Sequence, residues 1–475
     1  MNDKKRLIQK KDITNLKKKH EKLKDSKYRD YFHIDPLTGL LNDPNGLFYK
    51  DGFYHIYYQW YPFKGVHGLK HWYEVESPDL ISFKNKGLAI RPDKKYKNRG
   101  AYSGSAFIEN DKVYFSYSGN EKDENEKRYP NEVLAKLEDG KIIDKSVIIS
   151  PNPDYKEDQR DPRIFKIDGL YYLLLGARDK KDRAQILLYR SKYIDKDWEF
   201  YGRLEIKNLD IDPYMFECPD LIKIDDDYVL LFSPQGLEKK GEYFNNIYNN
   251  GYIIGDLDIN EKTFKSRTDF IELDRGFDFY AAQTFANTKK NYLIGWLGLP
   301  DIIYPNDKNF SGSLSLVREI YIKNDKLFTR PLSEIKILRD KEVDFSNIVY
   351  DIDPMEIEIK DIKKDFEIGI YSNKDKGGLK ISYKDSYFVI DRSNLSNIIA
   401  KDYGLKRTIS NIKLGKLSIY IDKSSIEIFI NDGEYAQSLK IFPKDKESDL
   451  YFKNLEKDQV LLYKLKKSFE DNFII

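Results

Sequence analysis

The chain has 475 residues, which exceeds what one ordinary hydrophobic core accommodates and therefore favours two domains. Although 34% of the residues are charged, the net charge is only +2, so the composition gives no reason to expect a nucleic-acid partner. No run approaches the ~18 apolar residues of a membrane span, and the single cysteine, Cys218, excludes an intramolecular disulfide.

Residues 1–28 predict a charged helical extension. The segment has a thin apolar stripe at helical spacing, formed by Leu7, Ile8, Ile13, Leu16 and Leu23. This stripe favours a solvated helix that rests on the body of the protein over a lysine-rich binding patch. Because the segment lacks the apolar core of a signal peptide, and one cysteine suits a reducing compartment, we expect a cytoplasmic protein.

A strand–turn–strand pattern then recurs five times. The segments are NDPNGLFYKDGFYHIYYQ from Asn42, SGSAFIENDKVYFSYSG from Ser103, RDPRIFKIDGLYYLLLGA from Arg160, ECPDLIKIDDDYVLLFSPQ from Glu217 and AAQTFANTKKNYLIGWLG from Ala281. Corresponding positions in successive repeats lie 56 to 61 residues apart. This near-constant period, in a sequence rich in strand-forming aromatic residues, predicts a five-bladed β-propeller over residues 29–335.

The pattern changes near residues 330–344. The alternating runs MEIEIK, FEIGIYS, LKISYK and KLSIYID follow, without acidic turn motifs, and they predict an antiparallel β-sandwich over residues 345–475. Because no flexible linker separates the two parts, we expect the sandwich to pack on the propeller.

Three acidic residues occupy the same place in their repeats, at the start of the first strand: Asp43, Asp161 and Glu217. Asp43 and Asp161 each precede a proline, which favours an extended backbone at the preceding residue. In a propeller, all three carboxylates converge on the same end of the central channel.

Converging carboxylates repel one another, which raises at least one pKa towards neutrality. Glycoside hydrolysis needs such a set, with one ionised carboxylate and one protonated acid. Any single Asp-Pro motif is explained as well by turn formation alone. Because all three motifs are in phase, we prefer the catalytic interpretation.

These motifs, in this order and spacing, resemble those of glycoside hydrolase family 32, the invertase-like β-fructofuranosidases. The resemblance rests on LLNDPNG, RDP and ECP, and it extends to YHIYYQWYPF, GVHGLKHW, SGSAF, LLFSPQGL, FDFYAAQTF, IGWLGLPDIIYP and SSIEIFINDGEYAQSLKIFP. It covers most of the chain after the N-terminal extension, and it implies a five-bladed propeller followed by a β-sandwich. Within the family, the sequence is most similar to cytoplasmic bacterial members that act on sucrose 6-phosphate.

The resemblance also implies roles for individual residues. Asp43 would be the nucleophile, Glu217 the acid/base, and Asp161 the residue that binds sugar hydroxyls and stabilises the transition state. The implied substrate-binding residues are Asn42, Gln59, Trp72, Ser103, Arg160 and Gln283. The sequence indicates no cofactor and no metal, since His67 and His71 have metal-pair spacing but lie outside any predicted helix. In a retaining mechanism, the carboxyl groups of Asp43 and Glu217 lie about 5–5.5 Å apart.

The sequence departs from the family pattern near the expected sugar site. Leu40 replaces a common tryptophan, and Tyr73, Glu74 and Val75 replace a Gly-His-Ala sequence. These departures remove aromatic walls and candidate phosphate donors, and Glu74 adds an anion. The nearest basic candidates for a phosphate are His67, Lys70 and His71.

We therefore predict a retaining β-fructofuranosidase that hydrolyses sucrose 6-phosphate or sucrose, with a small fructoside as its partner and no nucleic-acid or membrane partner. An exo-hydrolase of short β-fructans and a fructosyltransferase remain alternatives on the same scaffold. A non-catalytic sugar-binding propeller is disfavoured because all three acidic residues are present. The sequence leaves the oligomeric state open.

Overall fold

Strands occupy most of the chain in the computed structural model, which describes residues 6–305, 309–374 and 376–475. The single α-helix of this described part, α1 (Lys10–Leu23), lies within the predicted N-terminal extension. Leu16 and Leu23 of its apolar stripe are buried, whereas Ile13 is exposed. Short 3₁₀ helices occur at Lys95–Lys97, Ser333–Leu338, Lys401–Tyr403 and Lys457–Gln459. In the described part, no helix is both long enough and apolar enough to cross a membrane.

The first part of the chain forms a five-bladed β-propeller. Blade one contains β1 (Gly39–Lys50), β2 (Phe53–Tyr61), β3 (His71–Ser77) and β4 (Phe83–Ile90). Blade two contains β5 (Ala101–Glu109), β6 (Lys112–Lys122), β7 (Arg128–Glu138) and β8 (Lys141–Ile149). Blade three contains β9 (Tyr155–Ile167), β10 (Leu170–Asp179), β11 (Ala184–Ser191) and β12 (Glu199–Arg203).

The last two blades complete the ring. Blade four contains β13 (Glu205–Lys207), β14 (Met215–Ile224), β15 (Asp227–Gln235), β16 (Gly251–Asp258), β17 (Thr263–Ser266) and β18 (Ile271–Glu272). Blade five contains β19 (Tyr280–Thr284) and β20 (Tyr292–Leu297) and, after β21 (Phe310–Ser311), β22 (Ser313–Leu314), β23 (Arg318–Lys323) and β24 (Lys326–Pro331). Strand β21 pairs with β1, which ties the end of the propeller to blade one.

The second part of the chain forms a sandwich of two six-stranded sheets. The first sheet contains β25 (Arg339–Val343), β27 (Met355–Lys360), β32 (Lys416–Ile421), β33 (Ser425–Ile430), β34 (Tyr435–Lys440) and β36 (Val460–Leu465). The second contains β26 (Ile348–Val349), β28 (Phe366–Ser372), β29 (Leu379–Lys384), β30 (Tyr387–Asp391), β31 (Lys406–Ile409) and β35 (Asp449–Lys453).

Two strands depart from the expected division of the chain at residues 335 and 345. Strand β25 already pairs with the sandwich strand β36. The final strand, β37 (Phe469–Glu470), leaves the sandwich and pairs with β4 in blade one. The C-terminal segment therefore returns to the propeller.

The apolar core is divided into layers between neighbouring blades. The layer between blades one and two contains Phe48, Tyr57, Trp72 and Phe115, and comparable layers lie between the other blades. The sandwich has its own core between its two sheets. Because each blade buries both faces, no blade is expected to be stable alone.

Buried charges join the propeller to the sandwich. The ring of His33 contacts Asp422 through Nδ1 (2.9 Å) and Glu427 through Nε2 (3.0 Å). Arg318 of blade five pairs with the same Glu427 (2.6 Å) and with Asp274 (2.8 Å). All five side chains are buried, so separating the two domains would break the contacts of His33 and Arg318 with the sandwich acids, whereas Arg318 would keep Asp274 of the propeller.

The C-terminal segment is held by a second buried cluster. Asp471 accepts hydrogen bonds from Arg29 (2.7 Å) and Asn85 (3.3 Å), and it contacts Nε2 of His20 in α1 (2.9 Å). The helix, blade one and the end of the chain are thereby joined at one carboxylate.

Candidate active site

The five innermost strands, β1, β5, β9, β14 and β19, contact one another in a ring. Each is interrupted by a β-bulge. In β1, β5, β14 and β19 the bulges lie at Leu41/Pro44, Ala101/Gly104, Glu217/Asp220 and Tyr280/Gln283, and in β9 the bulge lies opposite Leu174/Gly176 of β10. At three of these bulges a non-glycine residue adopts a positive φ, namely Asp161 (68°), Cys218 (49°) and Ala281 (50°). A bulge re-aims the side chains beside it, so the ring presents polar groups to the channel at one level.

A cavity of about 190 Å³ lies at this level. Seven of the nine predicted site residues line it: Asn42, Asp43, Gln59, Ser103, Arg160, Asp161 and Glu217. A larger groove of about 520 Å³ lies between the propeller and the sandwich, but it contains none of the three carboxylates. The volume of a cavity therefore does not by itself identify the candidate active site.

Asp43 lies in a polar side-chain network. Ser103 (2.7 Å) and Gln59 (3.1 Å) donate to its Oδ2, and Asn42 donates to its Oδ1 (3.1 Å). Burial raises the pKa of Asp43, and the hydrogen bond from Ser103 opposes this rise. The network fixes the direction of a carboxylate that is partly exposed in the cavity.

Glu217 has a different set of donors. Arg160 donates to its Oε1 from Nε (2.8 Å), and Gln235 (2.7 Å) and Tyr280 (2.5 Å) donate to its Oε2. Both carboxylate oxygens are therefore held in place from different blades.

Asp161 lines the same cavity and is buried. The backbone N–H of Cys218 donates to its Oδ2 (2.9 Å), and its own N–H donates to Ser118 (2.9 Å). Burial raises the pKa of Asp161 to about 7; Arg160 opposes the rise, and the charges of Glu217 and Asp43 reinforce it. The three carboxyl groups therefore influence one another electrostatically, as their common position in the repeats predicted.

Lys70 adds a buried cation beside Asp43. It lines the cavity and donates a hydrogen bond to Oδ1 of Asn42. Burial lowers the pKa of Lys70 to about 7, although the charge of Asp43 opposes this shift. In the sequence, Lys70 stood out only as one of three basic candidates for a phosphate.

The structure does not bring the other two predicted pocket residues, Trp72 and Gln283, into the cavity lining. Trp72 lies in the apolar layer between blades one and two, and its indole N–H donates to the carbonyl of Tyr102 (3.0 Å). Gln283 donates to the carbonyl of Gly104 (3.0 Å) behind the wall of the cavity. Both residues support strands that carry site residues.

Several lining residues were missed as site residues in the sequence. They are Tyr102, Gln235, Tyr248, Tyr280, Trp296, Pro300 and Asp301. Gln235 and Tyr280 fall inside the recognised motifs LLFSPQGL and FDFYAAQTF, so their motif membership was the available signal. Tyr248 lies outside every recognised motif.

None of the four departures lines this cavity, although Leu40 lines an adjoining cavity that shares His67, Trp296 and Asp301 with it. Glu74 contacts the ring of His55 (2.9 Å), and the hydroxyl of Tyr73 donates to the carbonyl of Ile474 (2.9 Å). His71 is fully buried, and burial lowers its pKa to about 3. Glu74 therefore does not oppose an anion in the cavity, and His71 does not offer one a positive charge.

Family models match nearly the whole chain. The glycosyl hydrolases family 32 N-terminal domain matches residues 33–331, and the family 32 C-terminal domain matches residues 331–466. The sucrose-6-phosphate hydrolase of Staphylococcus xylosus is 39% identical over 450 residues, which cover 91% of this chain and 90% of the relative. The corresponding hydrolase of Vibrio alginolyticus is 37% identical, over 92% of this chain and 90% of the relative.

Solved structures agree with this assignment. The sucrose-6-phosphate hydrolase of Lactobacillus gasseri superimposes with a TM-score of 0.91 at 34% identity, covering 98% of this chain and 99% of that one. A Bombyx mori β-fructofuranosidase of family 32 superimposes with a TM-score of 0.84 at 29% identity, over 97% and 100% of the two chains. The chain therefore belongs to glycoside hydrolase family 32 and is a glycoside hydrolase with a five-bladed β-propeller and a C-terminal β-sandwich.

Proposed function

We propose that the protein is a retaining β-fructofuranosidase whose preferred substrate is sucrose 6-phosphate. The observation that carries this proposal is the presence of two carboxyl groups, Asp43 and Glu217, in one small cavity with separate sets of donors. Two carboxyl groups that face one glycosidic bond are what double displacement requires.

In the first step, Asp43 attacks the anomeric carbon of the fructosyl group, and Glu217 gives its proton to the departing oxygen. A covalent fructosyl-enzyme forms, and the glucosyl unit leaves. In the second step, Glu217 takes a proton from water, the water oxygen attacks the anomeric carbon, and Asp43 is released as a carboxylate. Ser103, Gln59 and Asn42 orient Asp43 for attack in both steps.

Glu217 can give a proton to the leaving oxygen only if one of its own carboxyl oxygens is released from its present hydrogen bonds. Gln235 and Tyr280 hold Oε2, whereas Arg160 holds Oε1. We infer that Arg160 shifts away from Oε1 when substrate enters, so that this oxygen faces the glycosidic bond. Asp161, which lines the same cavity, accepts hydrogen bonds from fructosyl hydroxyls.

The choice of sucrose 6-phosphate rests on the relatives. Eight curated bacterial relatives, each 32% to 39% identical to this chain, carry the name sucrose-6-phosphate hydrolase. A family 32 relative from Bombyx mori has been solved in complex with sucrose. A phosphorylated disaccharide also fits a cytoplasmic enzyme, and the one cysteine of this chain, which is buried, suits that compartment.

The substrate assignment is tested by rates on sucrose, sucrose 6-phosphate, raffinose, inulin and levan. We expect the highest kcat/KM for sucrose 6-phosphate. Equal kcat/KM for sucrose and sucrose 6-phosphate would contradict the phosphate preference but leave the fructosidase assignment intact. Failure to cleave any of the five substrates would contradict both.

A further inference from the structure

Three arginines converge on one carboxylate at the edge of the cavity. Asp158 lies 3.6 Å from Nη1 of Arg128, 3.2 Å from Nη1 of Arg160 and 3.6 Å from Nη1 of Arg178. Arg128 begins β7 in blade two, whereas the other three residues belong to blade three. Between 13% and 28% of each arginine side chain is exposed, so a dissolved ligand can reach the cluster.

The carboxylate of Asp158 does not accept a hydrogen bond from each of the guanidinium groups around it. Only Arg160 lies close enough to Asp158 to donate a hydrogen bond, since 3.6 Å exceeds hydrogen-bonding distance. The Nε of Arg178 is buried without a hydrogen-bond partner among the described residues. Asp158 therefore leaves the Nη1 groups of Arg128 and Arg178 close to one negative charge without a hydrogen bond to it.

The other ion pairs of these arginines account for only part of their donors. Arg178 pairs with Asp182 (2.6 Å) through Nη2, and Arg160 pairs with Glu217 (2.7 Å) through Nη2. Arg128 uses its Nε on the side-chain oxygen of Asn120 (2.9 Å). The Nη1 atoms of Arg128 and Arg178 each lie 3.6 Å from a carboxylate oxygen of Asp158.

Arg160 joins the cluster to the side of the cavity at which we expect the leaving group to depart. Arg160 lines the cavity and contacts Glu217, the proposed acid. Arg128 lies over the ring of Tyr102, another lining residue, with its guanidinium carbon 5.6 Å from the ring centre. Asn42, Gln59, Ser103 and Lys70, by contrast, surround Asp43, where the fructosyl group must bind to be attacked.

We propose that Arg128, Arg160 and Arg178 form the binding site for the phosphate of the leaving sugar. A phosphomonoester carries two negative charges above pH 6 and three acceptor oxygens, which match several guanidinium groups at once. This inference rests on the proposed function, because only a phosphorylated leaving group brings such an anion to this edge. The three basic candidates from the sequence fit less well. Lys70 is buried on the fructosyl side and His71 lies outside the cavity, whereas His67 lines the cavity but offers a single imidazole ring.

The first experiment measures kcat/KM for sucrose 6-phosphate and for sucrose in Arg128→Met and Arg178→Met. Loss of charge-assisted hydrogen bonds of this kind lowers the ratio of the two values about 10-fold to 100-fold. Arg190→Met is the matched control, because Arg190 also covers a tyrosine (Tyr201, 4.1 Å) and pairs with an acid (Glu199, 2.6 Å), but on an outer strand. We expect Arg190→Met to leave the ratio unchanged.

The second experiment uses Asp158→Asn, for which the inference predicts the opposite sign. Removing the carboxylate that competes with phosphate raises the ratio, and it strengthens competitive inhibition of sucrose hydrolysis by glucose 6-phosphate relative to glucose. If the cluster had only a structural role, Asp158→Asn would change kcat/KM for the two substrates equally, because it would disturb the site that both share.

The outcomes separate this inference from the proposed function. A wild-type enzyme that prefers sucrose 6-phosphate, together with Arg128→Met and Arg178→Met variants that keep the full preference, would overturn the phosphate site and leave the function standing. A wild-type ratio near one would overturn the proposed substrate and the phosphate site with it. If a methionine variant fails to fold, Arg178→Lys, which keeps the charge but loses the planar donors, is expected to lower the ratio less.

Discussion

Asp43 and Glu217 each present a carboxyl group to the cavity, but different hydrogen-bond donors hold the two groups. Ser103 and Gln59 hold Asp43 with neutral hydrogen bonds, whereas Arg160 and Tyr280 hold Glu217. The proposed roles rest on the resemblance of the motifs to those of family 32, and the structure adds that separate sets of donors hold the two carboxyl groups.

At the residue scale, we predict that Glu217→Ala lowers kcat about 10²-fold to 10⁴-fold on sucrose 6-phosphate, since the leaving oxygen then departs without a proton. An aryl β-fructofuranoside, whose leaving group needs no proton, should lose much less in its first step. Steady-state and burst kinetics on the two substrates measure this difference. Equal losses in the first step on both substrates would show that Glu217 does not act as the acid.

The sequence predicted the positions of some site residues but not of others. Asp43, Asp161 and Glu217 were found because they recur in phase, and phase in a repeat determines position in the ring. Trp72 was misplaced because a blade buries both faces, so a large aromatic residue packs equally well between blades or beside the channel. Motif membership alone does not distinguish these two faces.

At the scale of strands, the contact between β9 and β14 determines how Arg160 meets Glu217. Gly176 pairs with Arg160 across the bulge in β9, and a Cβ added to Gly176 would overlap with the backbone carbonyl oxygen of Phe216 in β14. Backbone atoms cannot rotate aside as a flexible side chain can. Blades three and four can therefore pack this closely only because Gly176 has no side chain.

We predict that Gly176→Ala destabilises the protein by about 1–3 kcal/mol, the usual cost of overpacking, and lowers kcat. Urea unfolding and steady-state kinetics measure the two effects. Gly415→Ala is the control, because its nearest neighbouring atom lies 3.9 Å from the added Cβ, and we expect little change. A fully active and stable Gly176→Ala variant would show that the spacing of β10 and β14 tolerates the extra volume.

At the scale of the whole molecule, the propeller and the sandwich are joined through buried charges. His33 and Asp422 are 389 residues apart in the chain, and neither lies in a repeat that marks it as an interface residue. The sequence predicted that the sandwich packs on the propeller only because it lacks a flexible linker. Pairings of this range carry no local sequence signal, so the interface itself could not be predicted.

The interface makes stability depend on pH. Burial alone would lower the pKa of His33, but the hydrogen bonds and charges of Asp422 and Glu427 raise it to about 10. Because the folded pKa exceeds the ordinary value of 6.5, the protonated ring stabilises the fold fully below about pH 6.5. This contribution is lost as the pH rises towards 10.

We therefore expect the free energy of unfolding to fall between pH 6.5 and pH 10 in the wild type, and to fall less steeply in His33→Gln. Urea unfolding at several pH values within this window gives the comparison. Parallel pH profiles for the two proteins would show that His33 does not hold its proton at the interface.

The central claim is that Asp43 and Glu217 act by double displacement, and the anomer first released tests it most directly. Two inversions at the anomeric carbon give net retention, so NMR of the first product formed from a β-fructofuranoside should show β-fructofuranose before mutarotation. Initial release of α-fructofuranose would show a single inversion, and it would contradict the roles assigned to both carboxyl groups.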